Sequence, residues 1–187
     1  DWALETDPIR ALEIGGTDAF MRFWGRSGYG AEGCRWLQEA LVRVRSLPVN
    51  EEHYPQLRSS GVAAGDIVAE FQKRRRRAEA YGLTSLGLIS TGLGDYRKSF
   101  LSLQEGLALW RVIGDLPGQA LCLSMMGTQA MLIENFQESL QYAEECLSIA
   151  RAIGDDLSAA IALTNFGFYH IRREGNLEKG LACLEES

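Results

Sequence analysis

The chain has 187 residues, 46% of them hydrophobic, and a formal net charge of −6 at pH 7. This apolar content is enough to build a continuous core, so a disordered protein is excluded. No stretch approaches the ~20 apolar residues that a membrane-spanning helix needs, and the N-terminus lacks a signal-peptide pattern. We therefore expect a soluble, cytoplasmic protein with no membrane partner. Both ends of the sequence have a helical pattern, and we expect it to be a segment of a larger protein.

The negative charge lies in the C-terminal part of the chain. Residues 118–187 contain 4 Lys and Arg against 10 Asp and Glu, which accounts for the whole net charge. A negative surface repels a phosphate backbone, so we expect no nucleic-acid partner for this segment. The four cysteines include no Cys-x-x-Cys pair, which indicates buried structural residues in a reducing compartment.

Residues 1–48 are predicted to form a divergent helical hairpin. The first helix runs through Phe20 and Trp24, and the glycines of Gly28–Gly30 mark a turn. A second amphipathic helix follows, and Pro48 ends it because proline cannot continue a helix.

The glycines of this turn also have the spacing of a dinucleotide-binding fingerprint, Gly28-x-Gly30-x-x-Gly33. Such a fingerprint requires a β-strand before the glycines and another after the helix. Because the preceding residues continue a helical pattern, we favour a turn between helices. Nucleotide binding through Gly28–Gly33 stays open as an alternative function.

Residues 49–77 match no other part of the chain. Proline and glycine predict an irregular connection, after which Asp66 is placed to cap a helix that continues into the next unit. The start of that helix is basic, with four arginines in succession at Arg74–Arg77. Four consecutive residues point around most of a helix, so we interpret the run mainly as solvated surface, with contact to an acidic partner as the alternative.

The remaining residues repeat with a constant period. Gly87, Gly127 and Gly167 lie 40 residues apart within similar apolar helical patterns. A period of this length is typical of repeat proteins whose units are helical hairpins. The predicted units are residues 78–117, 118–157 and an incomplete 158–187. Because glycine is costly inside a helix, we expect these glycines at close contacts between helices.

The repeated pattern is Leu-x-x-Leu-Gly, then Gly-Asp-Tyr, then a leucine-rich helix that ends in Ile-Gly-Asp. It resembles the long, roughly 40-residue form of the tetratricopeptide repeat. Asp1–Glu5 and the stretch from Phe23 to Leu41 resemble the segment that follows the nucleotide-binding module in bacterial signal-transduction ATPases and LuxR-type transcriptional regulators. The resemblance implies an all-α fold, a right-handed superhelical solenoid of antiparallel helix pairs. It also implies that the array senses a partner or an inducer and restrains the ATPase.

The first helix of each unit offers a surface for such a partner. If the repeat glycines face the second helix, the opposite stripes line the concave side of the stack. The residues predicted there are Tyr81, Thr84, Leu88, Thr91, Leu121, Ser124, Thr128, Met131, Ile161, Thr164, Phe168 and Ile171. The stripes combine a row of hydroxyls with apolar side chains and lack cations, which favours an apolar or amphipathic protein segment. The alternative is that part of the stripe packs helix against helix.

No catalytic set is recognisable in the sequence, because it has no zinc-protease motif, nucleophile elbow or phosphate loop. We expect no enzymatic activity, no cofactor and no metal. The favoured hypothesis is a sensor or scaffold segment of a larger bacterial signalling or transcriptional regulator. Its partner would be a protein or peptide, possibly another domain of the same protein, and self-association stays open. The further alternative is a purely structural spacer between domains.

Overall fold

A computed structural model describes residues 2–17, 23–24, 28–48 and 64–187 of the chain. All regular secondary structure within these ranges is α-helical, which confirms the predicted all-α class for them. The helices with defined bounds are α1 (Trp2–Thr6), α2 (Pro8–Gly15), α3 (Gly30–Ser46), α4 (Ala64–Gly92), α5 (Tyr96–Ile113), α6 (Leu116–Leu132), α7 (Phe136–Ile153), α8 (Asp156–Arg172) and α9 (Leu177–Glu186). Phe20 and most of the predicted irregular connection, residues 49–63, lie outside the described residues.

The helices form two compact units, Asp1–Asp95 and Tyr96–Ser187. In the first unit α2, α3 and α4 pack against one another, and α1 packs on α2. Its core includes the fully buried side chains of Leu12 and Leu37. The boundary between the units falls inside the predicted repeat 78–117, so that repeat stays a prediction.

Helix α4 is a single helix of 29 residues. It begins at Ala64, two residues before the predicted cap at Asp66, so the expected irregular connection is helical from this point onward. The residues from Ile67 to Tyr81 contain no glycine or proline and are rich in alanine, glutamate and arginine, which are strong helix formers. The basic run therefore lies in the middle of a long helix.

In the second unit, helices that follow one another in sequence pack together. Helix α6 contacts α7, and α8 contacts α9, while α6 also lies beside α8. Asp115 and Asp155 cap α6 and α8, which begin two residues before the predicted units 118–157 and 158–187. Their carboxylates accept hydrogen bonds from the backbone N–H of Gly118 at 2.9 Å and of Ser158 at 3.1 Å.

The repeat glycines of the second unit lie at close contacts between helices, as predicted. The carbonyl oxygen of Gly127 on α6 accepts a hydrogen bond of 2.9 Å from the hydroxyl of Ser139 on α7. A Cβ atom added to Gly167 would lie 3.0 Å from the carbonyl oxygen of Gly180 on α9. These contacts show that the glycine side of α6 faces α7 and that the glycine side of α8 faces α9. The opposite side of α6 and α8 therefore faces away from these second helices.

Candidate functional site

The predicted partner surface is divided between the two units. The four residues on α4 belong to the first unit. The eight residues on α6 and α8 belong to the second unit, where these two helices pack side by side. Those eight are Leu121, Ser124, Thr128, Met131, Ile161, Thr164, Phe168 and Ile171. We call them the α6–α8 surface.

Only part of the α6–α8 surface is open to solvent. Leu121 is 39% exposed and Phe168 is 43% exposed, whereas Ser124 and Met131 are buried. The four others are half-buried. On α4, Thr84 is also buried. The solvent-exposed part of the predicted surface is therefore concentrated at Leu121, Phe168 and their half-buried neighbours.

The predicted row of hydroxyls is already engaged by its own helices. Thr84 donates a hydrogen bond to the carbonyl oxygen of Ala80 at 2.8 Å, and Ser124 donates to that of Leu121 at 2.8 Å. Thr164 makes the same kind of bond within α8, at 2.9 Å. A hydroxyl that donates to a carbonyl oxygen of its own helix has no second hydrogen to donate to a partner. The apolar side chains are therefore the part of this surface that its own helices leave unengaged.

A second candidate site, which the sequence analysis did not predict, is a cavity of about 340 Å³ in the second unit. Helix α5 contributes one wall, the C-terminal end of α6 the other, and the first turn of α7 completes it. The lining residues are Tyr96, Arg97, Phe100, Leu101, Gln129, Ala130, Ile133 and Glu138. Leu101 and Ile133 are 56% and 63% exposed, so apolar side chains surround the opening. The available signal in the sequence was that both are apolar residues in the predicted repeats, at positions outside the predicted partner surface.

Two charged side chains of opposite sign also line this cavity. Arg97 and Glu138 form no ion pair with each other or with any other described residue. Burial raises the pKa of Tyr142, and the nearby Glu138 carboxylate adds to that rise. Because the other lining residues are uncharged, these two side chains determine which charges the cavity accepts.

The basic run of α4 has structural contacts within the first unit. Arg74 binds Glu13 through two hydrogen bonds of 2.8 and 2.9 Å, and Arg77 lies over the Tyr81 ring at 5.9 Å. Arg75 donates to the carbonyl oxygen of Arg45 at 2.9 Å. The interpretation of the run as solvated surface is therefore wrong for Arg75, whose side chain is only 20% exposed. It was based on a helix in isolation, without the elements that pack against it.

The glycines of the fingerprint-like motif have a packing explanation. Helix α3 begins at Gly30, and a Cβ atom at Gly33 would lie 2.7 Å from the ring of Trp24. At Gly30 it would lie 3.1 Å from Leu93. A side chain at Gly33 would displace the Trp24 ring, whereas at Gly30 it would push Leu93 aside by only a few tenths of an ångström. Gly28 has open space around it and is explained by its φ of 78°, in the left-handed region. The described residues on either side of the motif are helical and contain no strand.

Two buried titratable side chains of the second unit, His170 and Cys146, have packing environments. His170 is buried and its Nδ1 atom lies 2.7 Å from Glu174 Oε2, as expected of a packing histidine. Burial raises the pKa of the Cys146 thiol to about 11, so it is a protonated packing residue near neutral pH. Within the described ranges no three metal-ligating side chains come together, and no helix has the length and apolar character to cross a bilayer.

Comparison with protein-family models and with curated proteins found no match for this chain. Its function must therefore be inferred from the geometry of the α6–α8 surface and of the cavity.

Proposed function

We propose that this chain is a non-enzymatic helical-repeat segment, similar to long tetratricopeptide repeats, that binds a protein partner on the α6–α8 surface. It serves as a sensor or scaffold in a larger bacterial signalling or transcriptional regulator, in the cytoplasm. The partner is a peptide segment or another domain of the same protein.

A contact that recurs with the sequence period supports the repeat architecture. Arg111 on α5 pairs with Glu145 on α7 at 2.6 Å. Arg151 on α7 pairs with Glu186 on α9, 40 and 41 residues further along. The same residue types therefore join successive second helices in the same register. Equal contacts between successive units are what a stack with a constant rotation per unit requires.

The observation that carries the proposed binding is the exposure of Leu121 and Phe168 on two first helices that pack side by side. Exposed apolar patches on a folded protein mark interaction sites, and the half-buried Ile161 and Ile171 belong to the same surface. The surface contains no charged residue, and its hydroxyl hydrogens are already used. An amphipathic helix or strand that presents apolar side chains fits these properties best.

A random peptide library displayed on phage and selected on the whole chain tests this proposal. We expect selected peptides to carry two or more apolar residues at helical or strand spacing. Truncating Phe168→Ala should weaken their binding by about tenfold or more, since an aromatic anchor contributes about 2 kcal/mol. Leu157→Ala is the matched control, because Leu157 is 72% exposed at the start of α8 and lies outside the surface.

Two results would contradict the proposal. Peptides that bind wild type and Phe168→Ala equally would place the site elsewhere on the chain. A selection without any specific peptide would favour the structural spacer. Stabilisation of the chain by ATP with magnesium in a thermal melt would instead support the nucleotide-binding alternative.

A further inference from the structure

We infer that the cavity between α5, α6 and α7 is a binding site for a small apolar carboxylic acid. This inference does not depend on the proposed partner surface, because the two share no residue. It rests on the size of the cavity, its apolar walls and the position of Arg97.

The size of the cavity suits a ligand with an apolar body of about two rings. Its volume is about 340 Å³. An apolar cavity of about 150 Å³ holds one benzene molecule, and small-molecule sites begin at about 300 Å³. A single water-filled gap between repeats would be far smaller.

The walls of the cavity explain why an apolar body would bind there. Phe100 and Ala130 come from the two facing helices, and the exposed side chains of Leu101 and Ile133 surround the opening. Covering these side chains removes apolar surface from water, which is the main driving force for binding.

Arg97 supplies the charge that selects an acid. It lies in the first turn of α5, where the helix dipole disfavours a cation, so helix stability does not explain it. The equivalent positions of the next two second helices hold Gln137 and Glu178. Arg97 also has no ion pair within the described residues, which leaves its guanidinium available for a carboxylate.

The same argument does not apply to Glu138 as a binding group for an amine. It lies in the first turn of α7, where the helix dipole stabilises a carboxylate, and that alone explains its presence. In the cavity it repels the acidic end of a ligand from the α7 side. The carboxylate is therefore expected at Arg97, with the apolar body between α5 and α6.

Three probes with one ring system and different charges test the inference on the whole chain. They are 2-naphthylacetate, the neutral 2-naphthaleneethanol and the cationic 2-(2-naphthyl)ethylamine, each measured by calorimetry at low salt. We expect one molecule of 2-naphthylacetate to bind per chain, about fivefold tighter than the alcohol. The amine should bind more weakly than the alcohol. Below, 'the acid probe' means 2-naphthylacetate. Amide chemical shifts should change at the start of α5 and the end of α6.

Variants assign the charge preference to individual residues. Arg97→Gln should reduce the affinity for the acid probe to that for the alcohol, and should leave the affinity for the alcohol unchanged. Glu138→Gln should strengthen binding of the acid probe, and Ile133→Ala should weaken binding of both probes. Arg173→Gln, which removes an exposed arginine from another part of the same unit, is the matched control and should change nothing.

The inference is overturned if no probe binds at millimolar concentration, if the amine binds tightest, or if the acid probe and the alcohol bind equally. It is also overturned if Arg97→Gln and Arg173→Gln have the same effect, or if shifts map outside the cavity. Circular dichroism of each variant checks folding. If Arg97→Gln is unfolded, the effect of Glu138→Gln on the affinity for the acid probe still tests the charge preference of the cavity. Phe168→Ala should leave binding of the acid probe intact, so failure here is distinguishable from failure of the proposed function.

Discussion

At the scale of single residues, one turn of the repeat has the same left-handed backbone conformation in every unit, even where the residue is not glycine. Glu134 has φ of 60°, in the left-handed region, at the turn between α6 and α7. Glycine occupies the matching turns, Gly94 with φ of 79° and Gly175 with φ of 67°. A side chain in this region costs roughly 1 kcal/mol more than glycine. The turn was nevertheless predictable, because the following Asn135 supplies the cap of α7 in the same place as Asn176 does for α9.

The buried Cys146 predicts a fall in stability at high pH. Its thiol is fully buried between α6 and α8, and burial raises its pKa from 9.0 to about 11. The folded state therefore holds the thiol proton more tightly than the unfolded state does. This contribution to stability is complete below pH 9 and is lost as the pH rises towards 11.

Cys146→Ala should remove this dependence. Between pH 8 and pH 10.5 the free energy of unfolding of the wild type should fall by about 1–2 kcal/mol relative to the variant. Urea unfolding at several pH values measures the difference. Cys183→Ala, at a half-buried thiol, is the control and should follow the wild type. Parallel curves for wild type and Cys146→Ala would refute the assignment.

At the scale of helices, most boundaries in the second unit could be predicted from sequence. Asn135 and Asn176 are typical cap residues at the ends of turns, and α7 and α9 begin at the residues that follow them. These signals are local, because a cap and its helix are within three residues of each other. Side-chain exposure was less predictable. Met131 and Ser124 are on the predicted surface stripe but are buried by neighbouring elements that the stripe alone does not show.

The two repeat glycines of the second unit should respond differently to the same substitution. A Cβ atom at Gly127 would lie 3.0 Å from Nδ2 of Asn165, a buried side-chain atom without a hydrogen bond among the described residues. That amide can shift without losing a bond, and alanine improves helix propensity by about 1 kcal/mol. At Gly167 the obstacles are the backbone oxygen of Gly180 and the side chain of Leu184.

Gly127→Ala should therefore change the free energy of unfolding by less than about 1 kcal/mol. Gly167→Ala should destabilise by about 1–3 kcal/mol, because two helices must separate. Thermal and urea unfolding of both variants measure this contrast. Equal effects, or a larger loss at Gly127, would contradict the packing described for α8 and α9.

At the scale of the whole molecule, the packing of the part with a repeat was more predictable than that of the part without one. In the second unit one period of 40 residues relates most helices. The helix and turn pattern of one unit therefore predicts the pattern of the next. The first unit has no such period. Its helices are joined by contacts such as Arg74 with Glu13, which are 61 residues apart in sequence. Neither these pairings nor the cavity follows from a local pattern, since both depend on which side chains distant helices bring together.

Arg75 is the contact in the first unit whose loss should matter most. Its guanidinium donates hydrogen bonds to the carbonyl oxygens of Arg45 at 2.9 Å and Leu47 at 3.3 Å. It thereby binds the C-terminal end of α3, where helix carbonyls lack partners within the helix. It also pairs with Glu79, whose side chain is only 12% exposed, at 3.1 Å. One side chain therefore connects α4 to the end of α3 and neutralises a largely buried carboxylate.

Arg75→Ala should lower the free energy of unfolding by about 1–3 kcal/mol, because it leaves Glu79 and the α3 carbonyls with fewer donors. Arg76→Ala is the matched control, since Arg76 is the next residue of the same helix, is exposed and forms no side-chain hydrogen bond, ion pair or ring contact with a described residue. It should change stability by less than about 0.5 kcal/mol. Urea unfolding followed by circular dichroism measures both variants. If they unfold at the same urea concentration, the contacts of Arg75 with α3 do not contribute to the stability of the first unit.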